Sequence, residues 1–207
     1  MKKTYVMVIA VSFLILMGSG TAGATLLQLD NIYNFYGQTV AWTYDGTPES
    51  GLAGQMNGTL DGYFTTGAYC VEIDAITYIP GTYNVTLRAL QTEQEKRAAW
   101  LMSTYMGDAS IYNKIAGAAL QLAIWETYYG DLFAYNPIGD IGDLYNTYMN
   151  SLENDYSSSC IIDIKYAISA GSQDLLVKVP APVPEPATLI LLGSGLIGLA
   201  GFRRRKS

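Results

Sequence analysis

The amino-acid sequence predicts an α+β fold, a β-strand-rich domain with an inserted segment of two to three helices. Three observations predict it. Apolar and polar residues alternate before residue 88 and again after residue 160, as in half-buried strands. Between these stretches the apolar spacing changes to the period of an α-helix. Strands, then helices, then strands along one chain are typical of the α+β class.

The first predicted strands lie in residues 25–44, where apolar and polar residues alternate loosely. The candidates for buried strand positions there are Tyr33, Phe35, Val40 and Trp42. Residues 45–61 are rich in Gly, Pro, Ser and Asn, which predicts loops and turns. Residues 63–79 resemble paired strands with a clean alternation, and residues 83–87 alternate again after the turn at Pro80–Gly81.

Two helices follow. The first covers residues 92–105, with Thr92 as its N-cap and Glu95 at the reciprocal position of a capping box. The second runs from about residue 113 to residue 129 and ends at Gly130, a common residue after a helix C-terminus. Its predicted buried stripe consists of Ile115, Ala118, Ala119, Leu122, Trp125 and Tyr129.

A third, weaker helix is predicted over residues 142–155, and strands return at residues 161–168 and 174–179. All of these elements fall within residues 25–179. A stretch of this length is sufficient for one domain with its own core. We therefore expect a single folded domain between two terminal signals.

The N-terminal segment has the features of a secretory signal peptide. Lys2 and Lys3 precede an apolar stretch, and small residues follow as far as Ala24. This order of charged, apolar and small residues predicts that residues 1–24 are removed during export. The mature domain is therefore expected to fold outside the cytoplasm.

The C-terminal segment, residues 180–207, begins with a spacer that has proline at every second position. An uncharged apolar run follows at residues 188–202; it is shorter than the roughly 20 residues of a membrane-spanning helix. We expect this short hydrophobic sorting helix to contact the membrane only before processing. The expected sorting residues are Pro184, Glu185, Pro186, Arg203, Arg204 and Arg205.

This arrangement resembles the PEP-CTERM sorting signal. The resemblance implies that an exosortase recognises the segment and cleaves near the Pro-Glu-Pro tripeptide. It further implies delivery to the cell surface or extracellular matrix of a Gram-negative bacterium that makes exopolysaccharide. The alternative is an ordinary C-terminal membrane anchor, with the terminal cations retained in the cytoplasm.

The charge of the domain excludes several functions. Residues 25–182 contain six basic and seventeen acidic residues, a formal net charge of −11. Such a domain is not expected to bind nucleic acid through its phosphates. The chain has no histidine, which excludes His-containing catalytic triads and the usual zinc ligand sets. We expect neither a metal nor a cofactor.

The candidate chemistry lies in one cysteine and one glutamine. Tyr69 and Cys70 occupy an apparent core strand, and residues 120–125 (Leu-Gln-Leu-Ala-Ile-Trp) follow on a helix. This pair resembles the bacterial thioester domain family, in which an aromatic or aliphatic residue precedes a Cys and a Φ-Gln-x-x-Φ-Trp motif comes later. The resemblance implies an intramolecular thioester between the Cys70 sulfur and the Gln121 side-chain carbonyl. An amine-bearing partner would open that bond and become attached, for adhesion or matrix attachment.

A thioester survives only where water is excluded. Trp125 follows Gln121 by four residues and shares its helical face, so we expect it to cover the bond. Tyr69 or Tyr128 would complete the apolar shield. Because the bond is used once, the protein is not expected to be an enzyme.

Three alternatives remain open on the sequence alone. Cys70 and Cys160 are the two cysteines of an exported chain, which favours a disulfide and a non-covalent structural or binding module of the exopolysaccharide matrix. Cys70 is otherwise an inert buried thiol, with Gln121 an ordinary polar residue and Trp125 a core residue. A glycosidase would instead need a carboxylate pair, for which the candidates are Glu72, Asp74 and Glu126.

Overall fold

The computed structural model describes residues 24–29, 36–107 and 113–179. Apart from Ala24, the predicted signal peptide lies outside these residues, as do the sorting segment, Tyr33 and Phe35. Within the described part of the chain, eight strands and three α-helices form an α+β structure, so the predicted class is confirmed.

The strands are β1 (Thr25–Leu29), β2 (Tyr36–Tyr44), β3 (Thr47–Leu60), β4 (Tyr63–Cys70), β5 (Gly81–Arg88), β6 (Phe133–Ala134), β7 (Ile164–Ser169) and β8 (Leu175–Lys178). The helices are α1 (Glu93–Tyr105), α2 (Lys114–Tyr129) and α3 (Gly139–Asp155). Short 3₁₀ turns follow α2 and α3, at Gly130–Leu132 and Ser158–Cys160. All three helices lie between β5 and β7, which confirms the predicted helical insertion.

The sheet is antiparallel and closes on itself. Its strand order is β1-β5-β7-β8-β4-β3-β2-β6, and β3 also pairs with β1. Six strands therefore form a closed ring, while β2 and β6 extend from the first half of β3. Gly58 permits the closure, because a Cβ atom at this position would overlap the backbone carbonyl of Gln28 on β1.

The sheet separates two apolar cores. The interior of the ring is filled by Leu27, Leu29, Met56, Leu60, Ala68, Val85, Ala167, Leu175 and Val177. The second core lies between the outer face of the sheet and the helices, where every residue from Ala116 to Trp125 of α2 is buried. Cys70, at the end of β4, packs against both cores.

The predicted loop at residues 45–61 is wrong. These residues contain β3, a strand of 14 residues, because two Asp-Gly hairpin turns bound it. Asp45 and Gly46 have φ values of 46° and 74°, and Asp61 and Gly62 have values of 50° and 80°. Positive φ at both central residues defines the two-residue turn that best fits the twist of a hairpin. The glycines and prolines of the stretch lie in or beside paired strand positions instead of in a loop.

The paired strands predicted over residues 63–79 are only half right. β4 ends at Cys70, and residues 71–80 leave the sheet without regular structure. Cys70 is therefore the last residue of a strand, not a residue in its middle. The alternation beyond Cys70 reflects residues held by side-chain contacts, which period-two spacing alone does not distinguish from a strand.

The helix ends agree closely with the sequence. The Thr92 hydroxyl accepts the Glu95 backbone N–H at 3.1 Å, and the Glu95 carboxylate accepts the Thr92 N–H at 3.4 Å, so the capping box is confirmed. Gly130 caps α2 with a φ of 55°. α3 begins at Gly139, three residues before the predicted start.

Glu95 also binds Arg88, which creates a pH-dependent contribution to stability. Two hydrogen bonds of 2.8 and 2.9 Å join the guanidinium to the buried carboxylate. The hydrogen bond from Arg88 lowers the pKa of Glu95 from 4.5 to about 2, although burial of the carboxylate acts in the opposite direction. Because the pKa is lowered by folding, this contribution is present above pH 4.5 and is lost as the pH falls towards 2.

Replacing Glu95 with glutamine is expected to lower the free energy of unfolding by about 3 kcal/mol at pH 7, since the shift is roughly 2.5 pH units. Urea unfolding at pH 7 and pH 3 measures this, and the variant should lose less stability on acidification than the wild type. Glu49→Gln, a change at an exposed carboxylate on β3, is the matched control. An equal loss on acidification in Glu95→Gln and wild type would contradict the assignment.

Candidate functional site

The Gln121 side chain is docked on the backbone of Cys70. Gln121 is 1% exposed on α2, and it is separated from Cys70 by 51 residues. The Cys70 backbone N–H donates to Oε1 at 3.0 Å, and Nε2 donates to the Cys70 carbonyl oxygen at 2.7 Å. The carboxamide therefore pairs with Cys70 as a neighbouring strand would.

An open edge of β4 explains this docking. β3 pairs with β4 at Met56 and Ala68, but its preceding residues pair with β2 instead. On the other side of β4, the Val71 N–H donates to the Asp174 carbonyl at 3.0 Å. Cys70 therefore has no strand partner on the β3 side. Buried backbone N–H and C=O groups without hydrogen-bond partners lower the stability of the fold. The carboxamide of Gln121 takes the vacant position.

The Cys70 thiol is held in its protonated form. Burial raises its pKa to about 12, the Thr77 hydroxyl lowers it, and the charge of Glu72 raises it further. Since the thiolate is the nucleophile, a raised pKa disfavours reaction of this thiol with external reagents at neutral pH. Neither cysteine forms a disulfide in the structure; Cys70 is half-buried, and Cys160 is exposed on the 3₁₀ turn after α3. The structure does not contain the alternative Cys70–Cys160 disulfide.

Residues 71–80, called the strap below, follow Cys70 and are held by long-range side-chain contacts. Gln173 donates to the Glu72 carbonyl at 2.6 Å and accepts from the Thr77 hydroxyl at 3.0 Å. The Glu72 carboxylate accepts the Asp174 N–H at 2.9 Å. The strap therefore fixes Thr77 and Glu72 near the thiol of Cys70.

Tyr129 fastens the same strap from α2. Its hydroxyl accepts the Ile73 N–H at 3.1 Å, and burial raises the pKa of Tyr129 to about 12. Ile76 and Tyr78, further along the strap, are 65% and 69% exposed. Sequence reasoning missed the contacts of Thr77, Gln173 and Tyr129, because partners more than 50 residues apart leave no local periodic pattern.

Trp125 lies in the core between α2 and the β2–β6 extension. It is 3% exposed, and its ring centroid is 4.9 Å from that of Trp42 and 6.3 Å from that of Phe133. The Trp125 indole N–H has no hydrogen-bond partner among the described residues. The ring contacts are thus with strand residues, and the shielding role of Trp125 stays a prediction.

The two tyrosines of the predicted shield have other partners. Tyr69 is fully buried, and its hydroxyl donates to Gln55 Oε1 at 3.2 Å. Adjacent strand residues point to opposite faces, so Tyr69 and Cys70 have different surroundings. The Tyr128 hydroxyl lies 3.2 Å from the Tyr166 hydroxyl of β7. Their shielding role also stays a prediction.

The carboxylates considered for glycoside hydrolysis have separate environments. Asp74 is exposed on the strap, and Glu72 is bound by the Asp174 N–H. Burial raises the pKa of Glu126, and the neighbouring charge of Glu153 on α3 raises it further. Among the residues described, no group of three or more acidic or cysteine side chains is arranged to hold a metal ion.

The C-terminal signal agrees with a known protein family motif. The model of the PEP-CTERM protein-sorting motif matches residues 182–206. No curated protein and no solved structure matches the chain. Within residues 24–29, 36–107 and 113–179, no helix combines the length and apolarity needed to span a membrane; the run at residues 188–202 lies outside them. The C-terminal motif implies an exported protein that an exosortase processes and sorts to the surface of a Gram-negative bacterium.

Proposed function

We propose that this exported protein forms an internal thioester between Cys70 and Gln121, and that the thioester captures an amine-bearing partner at the cell surface or in the matrix. The observation that carries the proposal is the docking of the Gln121 carboxamide on Cys70, through hydrogen bonds of 3.0 and 2.7 Å. The two residues are 51 positions apart, so their contact is a product of the tertiary fold.

The contacts of the carboxamide favour attack on its carbon. The Cys70 N–H donates to Oε1, where negative charge develops when the sulfur adds to the side-chain carbonyl. A sulfur–carbon bond forms, the carbon–nitrogen bond breaks, and the thiol proton leaves with the nitrogen as ammonia. Nε2 already donates to the Cys70 carbonyl, which orients the leaving group.

The high pKa of Cys70 favours a long-lived product. Thiolates of high pKa are poor leaving groups, so spontaneous hydrolysis of such a thioester is slow. Cys70 also packs against apolar side chains of both cores, which limits access of water. On the strap, Thr77 hydrogen-bonds the thiol, and Glu72 lies near enough for its charge to act on it.

Capture of the partner reverses the first step with a different nitrogen. An amine attacks the acyl carbon of Gln121, an amide bond forms, and the carbon–sulfur bond breaks. The amine gives up one proton, which returns to Cys70 as the thiol is restored. Each molecule therefore reacts once, as a covalent attachment device for adhesion or matrix assembly.

Intact-mass measurement of the purified full-length protein tests the proposal. The wild-type protein is expected to be lighter, by the mass of one ammonia, than the mass calculated from its processed sequence. Cys70→Ala should have its full calculated mass. Treatment with methylamine should add one methylamine to wild type and none to the variant. A wild-type mass without the ammonia deficit would reject the thioester, provided that the protein is freshly prepared.

A thiol count without reductant separates the thioester from the disulfide module. The intact thioester predicts one free thiol, on the exposed Cys160, and a second after methylamine treatment and unfolding. The disulfide predicts none, and an unreacted Cys70 predicts two once the protein is unfolded. Cys160→Ser serves as the control, since it removes the exposed thiol and leaves Cys70 in place.

A further inference from the structure

A cleft of about 350 Å³ lies beside the first turns of α1. It is bounded by the chain after β5, by the 3₁₀ turn at Ser158–Cys160 and by the start of β7. None of its lining residues belongs to the Cys70–Gln121 site. Its volume falls within the range of pockets that bind small molecules.

Most basic residues of the domain lie near this cleft. Residues 25–182 carry a formal net charge of −11 and have only six basic residues. Four of the six lie on the segments that frame the cleft or directly beside them: Arg88, Lys96, Arg97 and Lys165. Glu93, Glu95 and Asp163 lie on the same segments. Among the lining residues themselves, Lys96 and Lys165 carry positive charge and Asp163 carries negative charge, so the two lysines are the groups that would attract an anion.

Two of these cations are available to a ligand. Arg88 is bound by Glu95, and the guanidinium of Arg97 lies over the Tyr156 ring at 5.2 Å. Lys96 and Lys165 line the cleft, and the side-chain ammonium group of neither has a hydrogen-bond or ion-pair partner in the part of the chain that the structure describes.

The other lining groups restrict the chemistry of the ligand. Asp163 offers a carboxylate acceptor, and Ser158 offers a hydroxyl group. Leu90 and Ile161 are half-buried and provide an apolar surface. A matching ligand therefore needs an anionic group, hydroxyl donors and an apolar face. Inorganic phosphate lacks the apolar face.

We propose that the cleft binds a carboxylated sugar. The sugar carboxylate lies between Lys96 and Lys165, and a ring hydroxyl donates to Asp163. The C–H face of the ring packs on Leu90 and Ile161. This binding is independent of the thioester, and it gives the protein a second, non-covalent contact with acidic polysaccharide.

Binding of oligogalacturonate to full-length protein, measured by calorimetry, tests the proposal. Lys96→Gln and Lys165→Gln should each weaken binding about tenfold, because each removes a charge-assisted contact. Lys114→Gln, at the start of α2 and outside the cleft, makes the same change in net charge and should alter affinity less than about twofold. Thermal unfolding of each variant verifies that the fold is intact.

Three results would overturn the assignment. The first is that methyl-esterified oligogalacturonate, which lacks the charge, binds as tightly as the acid. The second is that Lys114→Gln reduces affinity as much as Lys165→Gln, which would indicate only a net-charge effect. The third is that inorganic phosphate or phosphatidylglycerol vesicles displace the sugar at equal concentration, which would identify a general anion site. Retained binding in Cys70→Ala is expected, so the outcome does not depend on the thioester.

Discussion

Replacing Cys70 with alanine is expected to abolish amine capture and to lower the free energy of unfolding by about 3–4 kcal/mol. The proposed bond between Cys70 and Gln121 would close a loop across 51 residues. The loss of loop-closure entropy in the unfolded chain is about 4 kcal/mol for such a loop. The gain is partly offset, because ammonia release removes the Nε2 donor from the Cys70 carbonyl. Urea unfolding of both proteins, with capture scored by intact mass, measures the two effects.

Methylamine provides the matched control for this variant. It opens the bond in wild type without changing the sequence, so treated wild type should unfold close to Cys70→Ala. If untreated wild type were no more stable than either, the covalent loop would be absent. If methylamine destabilised Cys70→Ala to the same extent, the effect would be a solvent effect.

The structural role of Gln121 is separable from its chemical role. In the Cys70→Ala background no thioester forms, but the two backbone hydrogen bonds of residue 70 remain possible. Adding Gln121→Ala there should cost a further 2–5 kcal/mol or so, because the residue-70 N–H and C=O lose their partners. If the free energy of unfolding did not fall further, water would be the hydrogen-bond partner of the residue-70 backbone, and the docked carboxamide would contribute little to stability.

Local signals predicted much of the fold. The capping box of Thr92 and Glu95 and the stop at Gly130 are each set by residues within one turn, so the sequence states them directly. The Asp45–Gly46 and Asp61–Gly62 turns are equally local, yet the polar and glycine-rich composition between them favoured a loop. Tertiary pairing with β1, β2 and β4 overrides that composition.

Closure of the ring could not be predicted from the sequence, because it depends on the long-range pairing of β1 with β3. The same limit applies at the site. The motif predicted a thioester between Cys70 and Gln121. In the structure the Gln121 carboxamide hydrogen-bonds the backbone of Cys70, and the thioester itself stays a prediction. The contacts of Thr77 with Gln173, 96 residues away, have no counterpart in spacing or composition.

Replacing Trp125 with alanine is expected to lower the free energy of unfolding by about 3–5 kcal/mol, the usual cost of removing a buried tryptophan. Its ring packs on Trp42 and Phe133, so the cavity would separate α2 from β2 and β6. Urea unfolding measures the loss. An exposed residue would lose less than about 1 kcal/mol on the same change.

Trp125→Phe distinguishes packing from shielding. Phenylalanine keeps an aromatic contact with Trp42, and it removes the indole N–H, which has no described partner, so the expected loss of stability is only about 1–2 kcal/mol. If Trp125 acts through packing alone, the thioester of the folded variant should hydrolyse at the wild-type rate, followed as the slow gain of one water in mass. Faster hydrolysis in a variant that is still fully folded would instead give Trp125 a direct part in excluding water from the bond. Because hydrolysis of a stable variant occurs from the native state, measuring the rate well below the unfolding transition separates the two roles.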